Sequence, residues 1–279
     1  MPRPSCQCGN NPIDRWPMAE LSGGYMFWLL PWDDENHVKK HAWTVYAMIA
    51  ANVVVFVLVV MRLMDADDAS NAALAFGREY GLLADDWRWH QFMTANFLHG
   101  GVEHLVGNMM FLLLFGDNIE DALGPIGFLL IYFLGGLAGD IVYVHNNVGS
   151  DVPTVGASGC ISAIAGAYCV LFYDRTITVR IMFIVVPILT FGAAAVVVVL
   201  LWFGLDLWLT LSGAGQLTGE GGVNYVSHGV GFIFGVLCGV IARVHGVMRR
   251  YERLPEGGGW LGYWPHDLER RHRRARFRK

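Results

Sequence analysis

Charge is what this sequence has least of. Asp, Glu, Lys and Arg make up 16% of its 279 residues, against about a quarter in an average soluble domain. Apolar residues make up 54% and the mean hydropathy is +0.40. That balance excludes a disordered chain and an ordinary water-soluble enzyme. There is no internal repeat, low-complexity tract, His-Glu-x-x-His zinc motif or phosphate-cradling glycine loop, so nothing points to a solenoid, a zinc peptidase or a nucleotide-dependent enzyme. Cysteine is also scarce. Cys160, Cys169 and Cys238 fall in apolar runs and read as small packing residues. Cys6 and Cys8 form a Cys-Gln-Cys pair with no second ligand pair at suitable spacing, so no metal site is expected.

The charge that is present is unevenly placed. Residues 1–41 and 243–279 hold 15 of the 20 basic residues and 9 of the 24 acidic ones, leaving 5 basic and 15 acidic for the 201 residues between. Basic tails around an apolar middle describe a membrane protein. A bilayer core about 30 Å thick needs roughly 20 apolar helical residues. Runs free of Asp, Glu, Lys and Arg cover residues 42–61, 122–139, 152–173, 181–205 and 221–242. A shorter run over 104–116 reaches spanning length if the uncharged stretch 91–102 extends it past Glu103. The expectation is an all-α membrane protein with six spans: a cytoplasmic tail over 1–41, a helical core over 42–246 and a basic cytoplasmic tail over 247–279.

No removable signal peptide is apparent, so the first span is expected to act as its own insertion signal. Lys39 and Lys40 precede that span, while residues 62–90 carry three basic and six acidic residues. This asymmetry puts the N-terminus in the cytoplasm, and six spans return the C-terminus, with eleven Lys or Arg over 243–279, to the same side. The C-terminal tail reads as a topology anchor, with anionic lipid as the alternative contact. The bilayer is the expected environment, and no nucleic-acid partner is expected.

Polar groups inside spans are costly and need a partner or a purpose. Three clusters qualify. His104 and Asn108, four apart on the second span, share a helix face and both carry hydrogen-bond donors. Gly156-Ala157-Ser158-Gly159 opens the fourth span, where the glycines permit an unusual turn and leave the serine hydroxyl uncrowded. Ser227-His228 lies on the sixth span and is followed by Gly231, Gly235 and Gly239. Ser158, Ser162 and Gly166 recur on one face of the fourth helix, and His228 with its glycines on one face of the sixth. Small-residue faces let membrane helices approach closely. Packed in register, they bring His228 to the Ser158 hydroxyl as a base beside a nucleophile. Asn108, His104 and the Ser158 amide at a helix start are the donors available to an oxyanion. No acidic residue lies near His228 in sequence, so the arrangement is a dyad, a chemistry that requires no metal or organic cofactor.

With these residues in hand, the chain resembles the rhomboid family of intramembrane serine proteases. The resemblance rests on His99, His104 and Asn108, then Phe115-Gly116-Asp117-Asn118-Ile119-Glu120-Asp121 with Leu123-Gly124, then Gly156-Ala157-Ser158-Gly159, then His228 with Gly231 and Gly235. Pro31-Trp32-Asp33-Asp34 matches the entry of bacterial members, and the likeness covers roughly residues 30–245. It implies a six-helix bundle in which Ser158 is the nucleophile, His228 the general base, and His104 and Asn108 part of the oxyanion hole. It also implies a membrane-embedded brace over residues 62–90, a lateral gate around 187–209, and transmembrane segments of other proteins as substrates, in a prokaryotic plasma membrane. Ser162 stands where some members carry an aromatic residue stacked on the catalytic histidine. Two other readings remain open: a catalytically inactive relative that binds transmembrane helices, and a transporter with His99, His104 and Asn108 along a pathway. His99 is expected to be structural, bonding a loop carbonyl. Asp140 and Asp206 read as boundary residues near span ends.

Overall fold

The computed structural model of the chain describes residues 27–253, apart from 37, 40, 151, 184–185 and 213–224. Cys6, Cys8 and the tail beyond residue 253 lie outside the described residues. Strand β1 (Phe27–Asp34) leads to helix α1 (Trp43–Met64), followed by α2 (Ala69–Tyr80), the short α3 (Gln91–Thr94), α4 (Val102–Asn146) and α5 (Ser158–Leu171). Strands β2 (Thr176–Phe183) and β3 (Val186–Ala194) come next, then α6 (Ala195–Ser212), α7 (Tyr225–Val244) and α8 (Val247–Tyr251). Among the described residues, α1, α4 and α7 are long and apolar enough to cross a membrane, and α5 and the first part of α6 are apolar but shorter.

At 45 residues, α4 would measure about 67 Å if it were straight. It breaks at Gly124, whose φ of +76° is left-handed, with Pro125 immediately after. A β-carbon at Gly116 would lie 3.4 Å from the Phe128 ring, although twelve residues of straight helix cover about 18 Å. The chain therefore doubles back at Gly124, and the two apolar runs on either side form antiparallel limbs. Glycine supplies the left-handed turn, and proline loses nothing at the first position of the new limb, where its missing N–H would have had no acceptor.

Helix α5 is the centre of the molecule, with twelve of its fourteen residues buried. It packs on the second limb of α4 and on α7 with almost no side chain between the backbones. A methyl group at Gly135 would meet Ala163 Cβ at 2.2 Å, and one at Gly136 the Cys160 sulfur at 2.2 Å. On the other side, Gly231 faces the Gly159 carbonyl, Gly235 the Ala163 carbonyl and Gly239 the Ala167 backbone, where added methyls would lie 2.4, 1.8 and 3.1 Å from the carbonyl oxygens. The four-residue steps match on both helices, so one register is selected.

The architecture is mostly helical but not all-α. β1, β2 and β3 form an antiparallel sheet in that order. The uncharged run over 181–205, expected as one span, is strand up to Ala194 and helix only from Ala195. A run free of charge does not distinguish the two states. Here β-branched and aromatic residues (Ile177, Thr178, Val179, Ile181, Phe183) and Pro187 on the outer strand favour the pleated form.

The Gly116–Asp121 motif ties the sheet and α1 to the bundle at the α5 end remote from Ser158. Glu120 accepts the Thr44 and Val45 amides at 3.0 and 2.9 Å, capping α1. Asp121 accepts the Lys39 amide and, at 2.8 Å, the Tyr251 hydroxyl. Asp34 on β1 accepts the Tyr168 hydroxyl at 2.7 Å and the Asn118 amide at 3.0 Å. Burial pushes the Asp34 carboxyl up from 3.8 to about 6, against the lowering effect of the Tyr168 hydrogen bond. Because the folded state then holds the Asp34 proton more tightly than the unfolded chain, this group's contribution to stability is full below pH 4 and is lost as pH rises through about 6. Thermal melts in detergent from pH 4 to 7 should show a fall with rising pH that is smaller in Asp34→Asn. Identical slopes would remove Asp34 from that role.

Candidate active site

Three loops converge on Ser158. Leu82 and Thr154 exchange backbone hydrogen bonds at 3.0 and 2.9 Å, and the Gly156 amide donates to the Ala95 carbonyl at 2.9 Å. The segment 81–97 thus fixes the approach to α5, and its own shape is held by Gln91, which is fully buried and donates to the Arg78 carbonyl at 2.8 Å. Ser158 is the first residue of α5, which has no side-chain cap, so the opening amides of that helix have no intrahelical acceptor. One turn on, the Ser162 hydroxyl donates to the Ser158 carbonyl at 2.7 Å.

His228 Nε2 lies 2.7 Å from Ser158 Oγ. The two are 70 residues apart in sequence and meet because the glycine steps of α5 and α7 interlock. Both are half-buried, as are His104 and Gly156, so the pair can be reached from outside the fold. Tyr225, one turn before His228, sets its ring edge-on to the imidazole with centroids 6.0 Å apart. The aromatic neighbour of His228 therefore comes from its own helix and not from position 162, whose hydroxyl is turned to the backbone.

His104 stands on the other side of Gly156. A β-carbon at Gly156 would lie 2.8 Å from His104 Nε2 and Cε1 and 3.7 Å from Ser158 Oγ, and Gly156 has a φ of +130°. Only glycine satisfies both the space and the backbone. Gly156→Ala should lower turnover about a hundredfold, because His104 must move and the turn before Ser158 must reshape. The check is steady-state cleavage beside a thermal melt, with activity expected to fall far more than stability. Asn108 is buried on the same helix as His104, and among the described residues its Nδ2 has no hydrogen-bond partner.

The expected carbonyl bond of His99 is not formed: among the described residues neither of its buried ring nitrogens has a hydrogen-bond partner. Its ring lies edge-on to His104 at 5.1 Å. Asp140 lies within α4, before its end at Asn146. It is buried, and its carboxyl meets the Ser227 hydroxyl beside His228. Ser227 itself is wedged between the backbones of Gly139 and Gly159. Sequence distance hid this acid from His228, since the two lie on different helices. The Asp206 side chain lies outside the described residues.

The Rhomboid domain pattern matches residues 86–245, more than half of the chain. The chain belongs to the rhomboid family. It is 32% identical over 155 residues to the rhomboid protease GluP of Bacillus subtilis, covering 53% of this chain and 30% of that protein. It is 35% identical over 98 residues to RHOMBOID-like protein 9, chloroplastic, of Arabidopsis thaliana (35% of this chain, 22% of that one). It is also 35% identical over 85 residues to RHOMBOID-like protein 4 of the same plant (29% and 20%). The matched stretches span less than a third of these relatives' own lengths. Rhomboid membership and the apolar helices together make this an integral membrane protein.

Proposed function

We propose that this rhomboid-family chain is an intramembrane serine endopeptidase that cleaves transmembrane segments of other proteins. The observation that carries the reading is the 2.7 Å contact between Ser158 Oγ and His228 Nε2. In this reading Nε2 accepts the serine proton as Oγ attacks the scissile carbonyl, forming a tetrahedral intermediate. The Ser158 amide, Asn108 Nδ2 and His104 hold its oxyanion. His228 then returns the proton to the leaving amine, and water admitted to the half-buried pair hydrolyses the acyl-enzyme. The unpartnered Asn108 donor and the closeness of His104 to Ser158 across Gly156 support these roles.

The two limbs of α4 bring the crossings to six, counted as α1, both limbs, α5, α6 and α7. The termini then lie on the cytoplasmic side and Ser158 towards the opposite face. The core runs over 42–246 between the tails 1–41 and 247–279, in a prokaryotic plasma membrane. Substrate helices enter from the bilayer beside α6.

The test is incubation of the purified protein with a labelled single-span substrate, together with labelling by a fluorophosphonate probe. Wild type should cleave and be labelled, and Ser158→Ala should do neither. Cleavage persisting in Ser158→Ala would refute the assignment. A folded wild type that binds the substrate and neither cuts it nor takes the probe would make the chain an inactive, helix-binding relative.

A further inference from the structure

The sheet has two faces, and the strand pairing shows which is which. Ile177 and Val179 on β2 are buried against the bundle and belong to its apolar core. Their partners across the ladder are Ala193 and Phe191 on β3, and the next residue on that face, Ile181, pairs with Leu189. Directly paired residues lie on the same face of a sheet, so Phe191 and Leu189 continue the face that covers the bundle. Yet Phe191 is 41% exposed and Leu189 53%. The opposite face carries Thr178, Arg180 and Thr190, with Arg180 over the Trp32 ring at 4.1 Å. The sheet thus overhangs the bundle by one strand, with its core-type side uncovered.

What lies beneath the overhang follows from the chain itself. β3 runs into α6 with no intervening residue, and the Ala195 amide donates to the Arg175 carbonyl at 2.7 Å, fixing the junction. The outward side of α6 is apolar, with Val197, Leu200, Leu201 and Leu205 all about half or more exposed. In an integral membrane protein that side faces lipid, and the uncovered face of β3 continues it. The unpaired backbone groups on the free edge of β3 cannot enter hydrocarbon. The strand must therefore rest at headgroup depth, with Leu189 and Phe191 directed inward.

We propose that β3 is a lipid-binding strand, seated on the bilayer surface remote from Ser158, with Leu189 and Phe191 as its anchors and the Thr190 side left in water. The proposal rests on the chain crossing the bilayer, which the experiment checks separately. A diazirine-bearing amino acid is placed singly at Leu189, Thr190, Phe191 and, as a bilayer reference, Leu201. Each variant that retains a cooperative melt is reconstituted in nanodiscs of phosphatidylethanolamine and phosphatidylglycerol, irradiated and read by intact mass. Lipid adducts should form at 189 and 191 at least about fivefold above 190, following the two-residue alternation of a strand. Equal yields at the three positions, or water insertion at all of them, would overturn the proposal. Protein–protein crosslinks at 189 and 191 would assign the face to a second copy and overturn it equally. Absence of lipid adducts at Leu201 would instead bring down the bilayer-crossing arrangement on which it rests.

Discussion

His228→Ala should reduce kcat/KM by about four orders of magnitude or more, which is roughly 5.5 kcal/mol of barrier. The serine hydroxyl is a weak nucleophile at neutral pH unless something removes its proton as it attacks. Among the described residues the imidazole at 2.7 Å is the group hydrogen-bonded to Ser158 Oγ. The loss should appear in kcat with KM little changed, because in the proposed reaction His228 acts on the attacking hydroxyl and not along the length of a bound helix. Labelling by a fluorophosphonate should fall in parallel, since the probe demands the same activated oxygen. Persistence of labelling at the wild-type rate would mean that another base serves Ser158.

Gly235→Val should also be damaging, although residue 235 lies two turns from His228. The first added carbon would fall 1.8 Å from the Ala163 carbonyl oxygen and 2.6 Å from its carbon. Backbone cannot yield as a side-chain tip does, so α7 must move away from α5. Overpacking of this kind costs about 1–3 kcal/mol. It also carries Nε2 out of hydrogen-bond range of Oγ, for an expected loss of a hundredfold or more in turnover. Gly229→Ala is the matched control: it lies next to His228 on the same helix, and a methyl there meets nothing within 4 Å. It should keep both activity and melting temperature. If both substitutions proved neutral, close helix contact would not be what holds the pair together.

These effects show which parts of the molecule were readable in one dimension. Helix α7 repeats glycine at positions 231, 235 and 239, and α5 carries small residues at the same interval, so the sequence states both the closeness of the two helices and their register. The meeting of Ser158 and His228 follows from that register. The sheet was not readable by the same means. Absence of charge is common to lipid-facing helix and to apolar strand, and the stretch 181–194 satisfies either description until its partner β1, some 150 residues earlier, is known. The Ser227 partner of Asp140 is not legible either, because an acid in an apolar run looks like the end of a span and the hydroxyl that answers it lies on another helix. Tyr225 carries no signal of its own in the sequence, because the resemblance points to α5 for an aromatic neighbour of His228 and α7 itself supplies the ring.

The shortness of α5 has a consequence for where water must travel. Fourteen residues of helix rise about 21 Å, some 9 Å less than the hydrocarbon slab. Its far end is tied to β1 and α4 by the Tyr168, Asp34 and Asn118 hydrogen bonds, so in the proposed crossing, with that end at one surface, the near end would not reach the other. In the proposed six-crossing arrangement the serine would then lie below the outer headgroups, and the water that the proposed hydrolysis consumes would have to descend to it.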